Sequence, residues 1–338
     1  MIRRFLSSLL AVAVVVAAAP ASAQVCASWS LAAEYAASPA KNPIVDACGQ
    51  AVWALQYAPT RARDPNTYLP LDSYLPFHGS QGWQLTSPVF YWDGYAHLPA
   101  IALNSTGATL QIPVWAPFPW DPGVVLAHPG PDQPTVVVFR SPVTATLSIS
   151  ATFTSLDFNG GDGVDVTVDT STGNLWAGYA RYGSPAALPA TQVVVRAGDP
   201  IYFTVGPYGQ LYYDSTRLDI TVAVVERGAT VDIRPWETPN VVNLRSNGLV
   251  DVAILTTAAL DATTIDVSSV KLAGAPVATR GDHLHAVLED VNGDGRLDLL
   301  VRFEVAALKL EPNATTATVV GTAGGVGFRG SDSIVVVQ

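Results

Sequence analysis

Residues 145–153 read ATLSISATF. Apolar and polar residues alternate along this stretch, which is the pattern of a strand with one face in a core and the other toward solvent. Similar short runs surround it: TVVVF (135–139), VDVTV (164–168), TQVVV (191–195), IYFTV (201–205) and LDITVAVV (218–225). They are rich in Val, Ile, Thr and aromatics, and clusters of Gly, Pro, Asn and Asp separate them. The 25 prolines leave little room for long helices, and only SWSLAAEYAA (28–37) suits a short one. With no βαβ rhythm, the pattern predicts an all-β chain built as sandwich or jelly roll.

A boundary is expected near Glu226-Arg227-Gly228. Beyond it, ATVDIRPWETPN (229–240) opens a second strand-rich segment holding DVAIL, SVKLA, LDLLVRF, TATVVGT and SIVVV. The expected organisation is a leader over 1–23, a larger jelly-roll-like sandwich over 24–228 and a smaller sandwich over 229–338. The leader reading rests on Arg3 and Arg4, the apolar run from Phe5 to Ala19 and the small residues Ala21-Ser22-Ala23. That run is shorter than the ~20 residues a membrane span needs. Val25 stands where a small residue precedes a lipidated cysteine. Secretion is therefore expected, either to the periplasm or outside the cell, with no transmembrane segment after cleavage.

Cleavage at that site removes two arginines and no acidic residue, so the net charge falls from −10 to −12. The chain has only three lysines. Phosphate backbones are bound by Lys and Arg, so nucleic acid is excluded as a partner class. Cys26 and Cys48 are the two cysteines, and an exported compartment permits a bridge between them. Neither has Lys, Arg or His close enough in sequence to activate a thiolate.

EDVNGDGRLDLLVRF (289–303) is the most explicit chemical motif. Asp290, Asn292, Asp294, the Arg296 carbonyl and Asp298 occupy positions 1, 3, 5, 7 and 9 of a calcium loop, with Gly295 at the turn. Position 12 is Val301 instead of the usual bidentate Glu, and the flanks alternate like strands. The expectation is a structural Ca²⁺ site between two strands. A hairpin of Asx turns without metal is the alternative, since Asn-Gly and Asp-Gly steps turn unaided. A second stretch, LDFNGGDGVDV (156–166), has more irregular spacing and reads as a turn first.

The 289–303 stretch resembles the DxNGDGxxDL loops of FG-GAP and related repeats in secreted bacterial proteins, and that resemblance implies calcium between two strands. The segment Val231–Val337 resembles a C-terminal domain recurrent in secreted bacterial proteins. The likeness is carried by VDIRPWETPNVVNLRSNGLVDVAIL, DATTIDVSSVKLAG, EDVNGDGRLDLLVRF and FRGSDSIVVV, with Trp236 as a departure where a small residue usually follows the Pro. Residues 42–222 resemble carbohydrate-binding-module jelly rolls at the level of architecture. NPIVDACGQAVWALQY, VVLAHPGPDQPTVVVFRSP, GGDGVDVTV, VRAGDPIYFTVGP and YDSTRLDITV carry that likeness. Its departures are the two cysteines and the order Phe139-Arg140. A shared architecture does not assign an activity.

No G-x-S-x-G elbow, H-E-x-x-H motif, phosphate-binding Gly loop or C-x-x-C motif occurs. FHGSQGW (77–83) makes Ser80 a weak nucleophile candidate, and His283 and His285 fall on one face if 282–289 is extended. His128, before Pro-Gly, reads as a structural histidine. No catalytic residue is assigned. Trp83, Tyr91, Trp92, Tyr95, Trp115, Phe118 and Trp120 crowd a proline-rich region, and Trp176, Tyr179 and Tyr182 follow. Sugars stack their C–H faces on aromatic rings, so Trp92, Trp115 and Trp120 are expected to line a glycan site. The resulting expectation is a secreted, non-catalytic accessory, adhesion or glycan-binding protein whose partner is a glycan or cell-surface polymer. The alternative is an extracellular polysaccharide hydrolase or lyase with an unfamiliar site.

Overall fold

The computed structural model describes residues 26–92, 96–112, 117–158 and 160–338; the leader expected over 1–23 lies outside them. Among the described residues the chain is nearly all β, and its one α-helix, Leu31–Ala37, is short. Ser30 caps that helix by accepting the Ala33 N–H, which satisfies an otherwise orphaned donor. No helix among the described residues is long and apolar enough to cross a membrane.

The alternation in ATLSISATF is realised over Ala145–Ser155, where every second side chain is buried. This strand pairs antiparallel with Thr216–Gly228, which continues onto Val125–His128. The facing sheet runs in the order Gly173–Ala180, Val164–Thr170, Pro200–Pro207, Thr135–Arg140, Ala51–Tyr57. Leu147, Ile149 and Phe153 from the first sheet share a core with Trp53, Val166 and Phe203 from the second. Phe139 packs between Trp29 and Trp53, with ring centroids 5.1 and 4.9 Å apart. Each such buried side chain contributes roughly 1.5–3 kcal/mol of transfer free energy. This is a β-sandwich.

A second core, from Val231 to Ile334, fills the space between Thr230–Ile233, Leu249–Leu255 and Asp298–Glu304 on one side and Ile265–Leu272, Thr316–Ala323 and Val326–Ser333 on the other. The end of Thr216–Gly228 lies parallel to Val326–Ser333, with Glu226 opposite Gly327 and Gly228 opposite Arg329. A sheet therefore runs on between the two cores, which strand patterns alone did not anticipate.

Cys26 and Cys48 form the expected disulfide, with Cα atoms 5.7 Å apart. The strap it secures is paired as well, Ser28–Ser30 lying along Thr221–Ala223. The Trp29 indole donates to Asp46 Oδ2 at 2.8 Å.

Two connections position the site described next. Residues 156–163 join Ala145–Ser155 to Val164–Thr170, and residues 208–215 join Pro200–Pro207 to Thr216–Gly228. Each crosses from one sheet to the other at the same end of the sandwich. Leu156 N donates to Ser215 O at 2.8 Å, and Tyr208 N to Gly163 O at 3.4 Å.

Candidate functional site

Of the tryptophans expected to line a glycan site, Trp120 belongs to the core. Trp120 is fully buried, its indole N–H donates to Val124 O at 2.9 Å, and it meets Phe77 edge to face at 5.7 Å. Its segment is a strand, Phe118–Trp120, paired with Leu110–Ile112. Phe118 and Trp120 point inward while Pro119 points out. This corrects the expectation that Trp120 lines a glycan site. Trp115 lies outside the described residues. Trp92 ends the strand Phe90–Trp92, and its side chain likewise lies outside the description.

Among the described residues, five exposed rings gather elsewhere. Tyr208 is 61 % exposed, Tyr182 59 % and Tyr212 55 %, with Phe158 and Tyr179 also exposed. Tyr179 and Tyr208 pack with centroids 4.8 Å apart, and Phe158 and Tyr182 at 6.1 Å. The Tyr179 hydroxyl donates to the Asp162 carbonyl, which ties the strand Gly173–Ala180 to the 156–163 connection. All five rings belong to the sandwich end where the two connections cross. Tyr179 and Tyr182 stood out in the sequence. Phe158, Tyr208 and Tyr212 did not, although YGQLYYDS between two strands carries aromatics in a turn that would not need them.

Beside Tyr208 opens a cavity of about 360 Å³, lined in part by Arg61, Arg63, Asp165 and Gly206. Arg61 donates to Asp132 Oδ1 at 2.8 Å and to the carbonyls of Pro131, Tyr208 and Gly209. Arg63, in the left-handed region at φ 51°, pairs with Asp165 Oδ2. A Cβ on Gly206 would sit 2.8 Å from Asp165 Oδ1 and 2.9 Å from Arg63 Nη2, so glycine there leaves room for the ion pair. Asp165 Oδ1 is buried and accepts no hydrogen bond. Both guanidinium groups are already paired with carboxylates, so the cavity carries no free positive charge. It offers an aromatic wall and the polar edge of a fixed ion pair.

The same two connections carry buried carboxyls, Asp157 and Asp214. Burial, then the charges of Asp162, Asp157 and Asp165, push Asp214 up to about 9. Burial pushes Asp157 up to about 6, against the hydrogen bonding from Ser215. Raised carboxyls can mark catalytic acids, but both of these side chains are closed off from solvent. A substrate at the surface does not reach them.

The 289–303 stretch is a strand–loop–strand hairpin, Ala286–Glu289 pairing with Asp298–Glu304. Asp290 accepts the N–H groups of Gly293 and Asp294 on Oδ1 and of Gly295 on Oδ2. Asn292 Oδ1 accepts Asp294 N–H, and Asp294 Oδ1 accepts Arg296 N–H, both at 2.9 Å. Asp298 is fully buried and accepts from Thr256 N and Val291 N. Asp294 Oδ2 pairs with the Arg296 guanidinium at 2.6 Å, which holds that carboxyl below the usual carboxylate range. Among the described residues, the acidic groups of this loop do not bring three oxygens within 4.8 Å of one another. The donors are all oxygen, as Ca²⁺ requires, while Arg296 occupies part of the set.

The remaining candidates lie elsewhere in the fold. Ser80 donates its hydroxyl to Leu103 O at 2.7 Å, which spends the proton a base would have to remove. His128 is buried with Nδ1 at 2.9 Å from the Pro129 carbonyl, and burial lowers it to about 4. His283 sits in the two-residue strand His283–Leu284, and His285 beyond it meets Arg302 at 3.4 Å. Among the described residues the one close group of three potential ligands is Cys26, Asp46 and Cys48. Its sulfurs are joined in the disulfide, and Asp46 is occupied by Trp29, Cys48 and Gln50.

No protein-family model matches the chain, and neither does any curated protein sequence. Solved structures give low-scoring matches. CBM51 from Clostridium perfringens GH95, in complex with methyl-galactose, is 9 % identical over 40 % of this chain and 91 % of that one, at a TM-score of 0.28. The CBM36-1 domain of a multidomain xylanase from the hindgut metagenome of Trinervitermes trinervoides is 14 % identical over 36 % and 93 %, at 0.23. The Podospora anserina GH26-CBM35 β-(1,4)-mannanase is 14 % identical over 37 % and 27 %, at 0.22. All three scores are below 0.5, and the sandwich rests on the strand pairing above, not on these matches.

Proposed function

We propose that this is a secreted glycan-binding protein that holds a neutral sugar in the cavity beside Tyr208. The carrying observation is the cavity itself. It joins an exposed tyrosine ring to a fixed Arg63–Asp165 pair. Its volume suits one or two sugar units, at the low end of ligand pockets. A ring face takes the C–H surface of a sugar, while the polar edge of the Arg63–Asp165 pair faces its hydroxyls. Because both arginines are neutralised, uronate-bearing chains gain no charge attraction there.

A panel of soluble neutral and acidic polysaccharides, read for binding and for turnover together, tests the reading. The expected result is retention by a neutral glycan, weakly dependent on salt and without turnover, that Tyr208→Ala abolishes. Trp236→Ala serves as comparator, since that ring is 71 % exposed in the other sandwich beside Asp232, Asn240 and Asp332. Retention lost only in Trp236→Ala would move the site to the C-terminal groove.

Structural calcium at Asp290, Asn292, Asp294, the Arg296 carbonyl and Asp298 is the second part of the reading. Oxygen-only donors in a strand–loop–strand turn support it, and Arg296 must release Asp294 for the ion to bind. Metal bound only by the folded chain adds about 2.7 kcal/mol at a hundredfold excess over Kd. Chelator is therefore expected to lower the melting temperature, and Asp294→Ala to shrink that drop. Equal drops in both proteins would count against calcium in this loop.

A further inference from the structure

Trp236 has a φ of +78°, in the left-handed region that a bulky side chain rarely occupies. The turn around it is held on both sides. Glu237 N–H donates to Arg234 O at 3.0 Å, and the Arg234 guanidinium donates to both carboxylate oxygens of Glu237. A strained residue persists only where its surroundings fix it, and such residues collect at ligand sites. Among the described residues Trp236 is the most exposed tryptophan, tyrosine or phenylalanine.

Its ring borders a groove of about 700 Å³ lined also by Thr230, Asp232, Thr238, Asn240 and Asp332. The charge of this groove is one-sided. Glu237 is neutralised by Arg234, and no Lys, Arg or His lines the groove. Asp332 is fixed in place, its Oδ2 accepting the Ile233 N–H and the Asn240 side-chain amide, both at 2.9 Å. Burial and then the charge of Asp332 raise the Asp232 carboxyl above its ordinary value, with no donor among the described residues to offset them. Two carboxylates that repel each other beside an exposed indole suit an organic cation. An ammonium relieves the repulsion, and the C–H groups next to it lie on the ring.

We propose that this groove binds a cationic glycan, an amino-sugar chain whose ammonium pairs with Asp232 beside Asp332 while a sugar face stacks on Trp236. The polar lining decides between sources of the cation. Thr230, Thr238 and Asn240 can meet the hydroxyls of a sugar, whereas the stem of a lysine brings nothing to meet them. The volume lies within the range of small-molecule pockets and suits a short oligosaccharide. This groove belongs to the other sandwich from Tyr208, and its ligand is charged. The proposal therefore does not rest on the neutral-sugar reading, and the two fail separately.

The mature chain, at a net charge of −12, attracts polycations in general, so the decisive variant is one that leaves the charge unchanged. Calorimetric titration of the full mature protein with a β-linked glucosamine trimer, its N-acetylated counterpart and trilysine tests the proposal. Wild type is expected to bind the glucosamine trimer, less tightly as salt rises, and the N-acetylated trimer at least tenfold more weakly. Trp236→Ala should lose at least tenfold in affinity at the wild-type melting temperature, and Asp232→Asn a similar factor, while Tyr208→Ala binds as wild type does. Equal affinity for the two trimers, or wild-type affinity in Trp236→Ala, would overturn the proposal. So would trilysine bound as tightly as the glucosamine trimer and lost in Trp236→Ala. Asp232→Asn, which keeps the shape of its side chain, carries the test if Trp236→Ala melts lower, and undiminished binding there equally overturns the site.

Discussion

Trp120→Ala is expected to destabilise the protein by about 3–5 kcal/mol, the range for deleting a large buried aromatic. The indole is fully buried in a cluster with Phe77, Leu98, Ile112, Phe118 and Leu126. Its removal leaves a cavity, takes away the edge-to-face contact with Phe77, and removes one of the two donors to the Val124 carbonyl, which also accepts Asn104 N–H at 3.2 Å. Asn104 Nδ2 donates to the Trp120 carbonyl at 2.7 Å, so the backbone there is anchored and does not simply collapse into the hole. Urea unfolding followed by far-UV circular dichroism reads the loss as a lower midpoint at nearly unchanged slope. A variant within about 1 kcal/mol of wild type would show that the ring is not core.

Breaking the Cys26–Cys48 disulfide is expected to cost ~3 kcal/mol in the chain-entropy model, given the 22-residue separation of its ends. The bridge closes the segment that holds the helix Leu31–Ala37 and the edge strand Ser28–Ser30. The Trp29 indole and the Cys48 and Gln50 N–H groups all converge on Asp46 beside it. Cys26→Ala/Cys48→Ala should therefore unfold at lower denaturant and exchange amide hydrogens faster over 26–37. Equal stability of the bridged and alanine proteins would mean the strap is held by its strand pairing and Asp46 alone.

The fold was legible where a two-residue period meets one buried face. ATLSISATF shows this best, because each apolar residue in it faces the core. The same rule was available at Phe118-Pro119-Trp120, where buried, exposed and buried positions alternate. Dense prolines around that strand hid its alternation, and Trp120 was assigned to a ligand surface instead of the core. The cavity was illegible for a different reason. Arg63 and Asp165 lie 102 residues apart in sequence, and only the sandwich brings them together. Asp214 in YYDS looks like an ordinary turn residue, since its burial depends on a second connection packing over it. The calcium-loop motif was plain in sequence, but the Arg296–Asp294 pair that competes with a cation became visible only with side chains in place.

The central claim is that the cavity beside Tyr208 holds a sugar. Isothermal titration calorimetry of the mature protein, Tyr208→Ala and Asp165→Asn with the neutral oligosaccharide selected from the panel tests it most directly. The account predicts binding by wild type with a negative heat-capacity change, no detectable heat in Tyr208→Ala at an unchanged melting temperature, and a weakened affinity in Asp165→Asn. Wild-type affinity in Tyr208→Ala would contradict it.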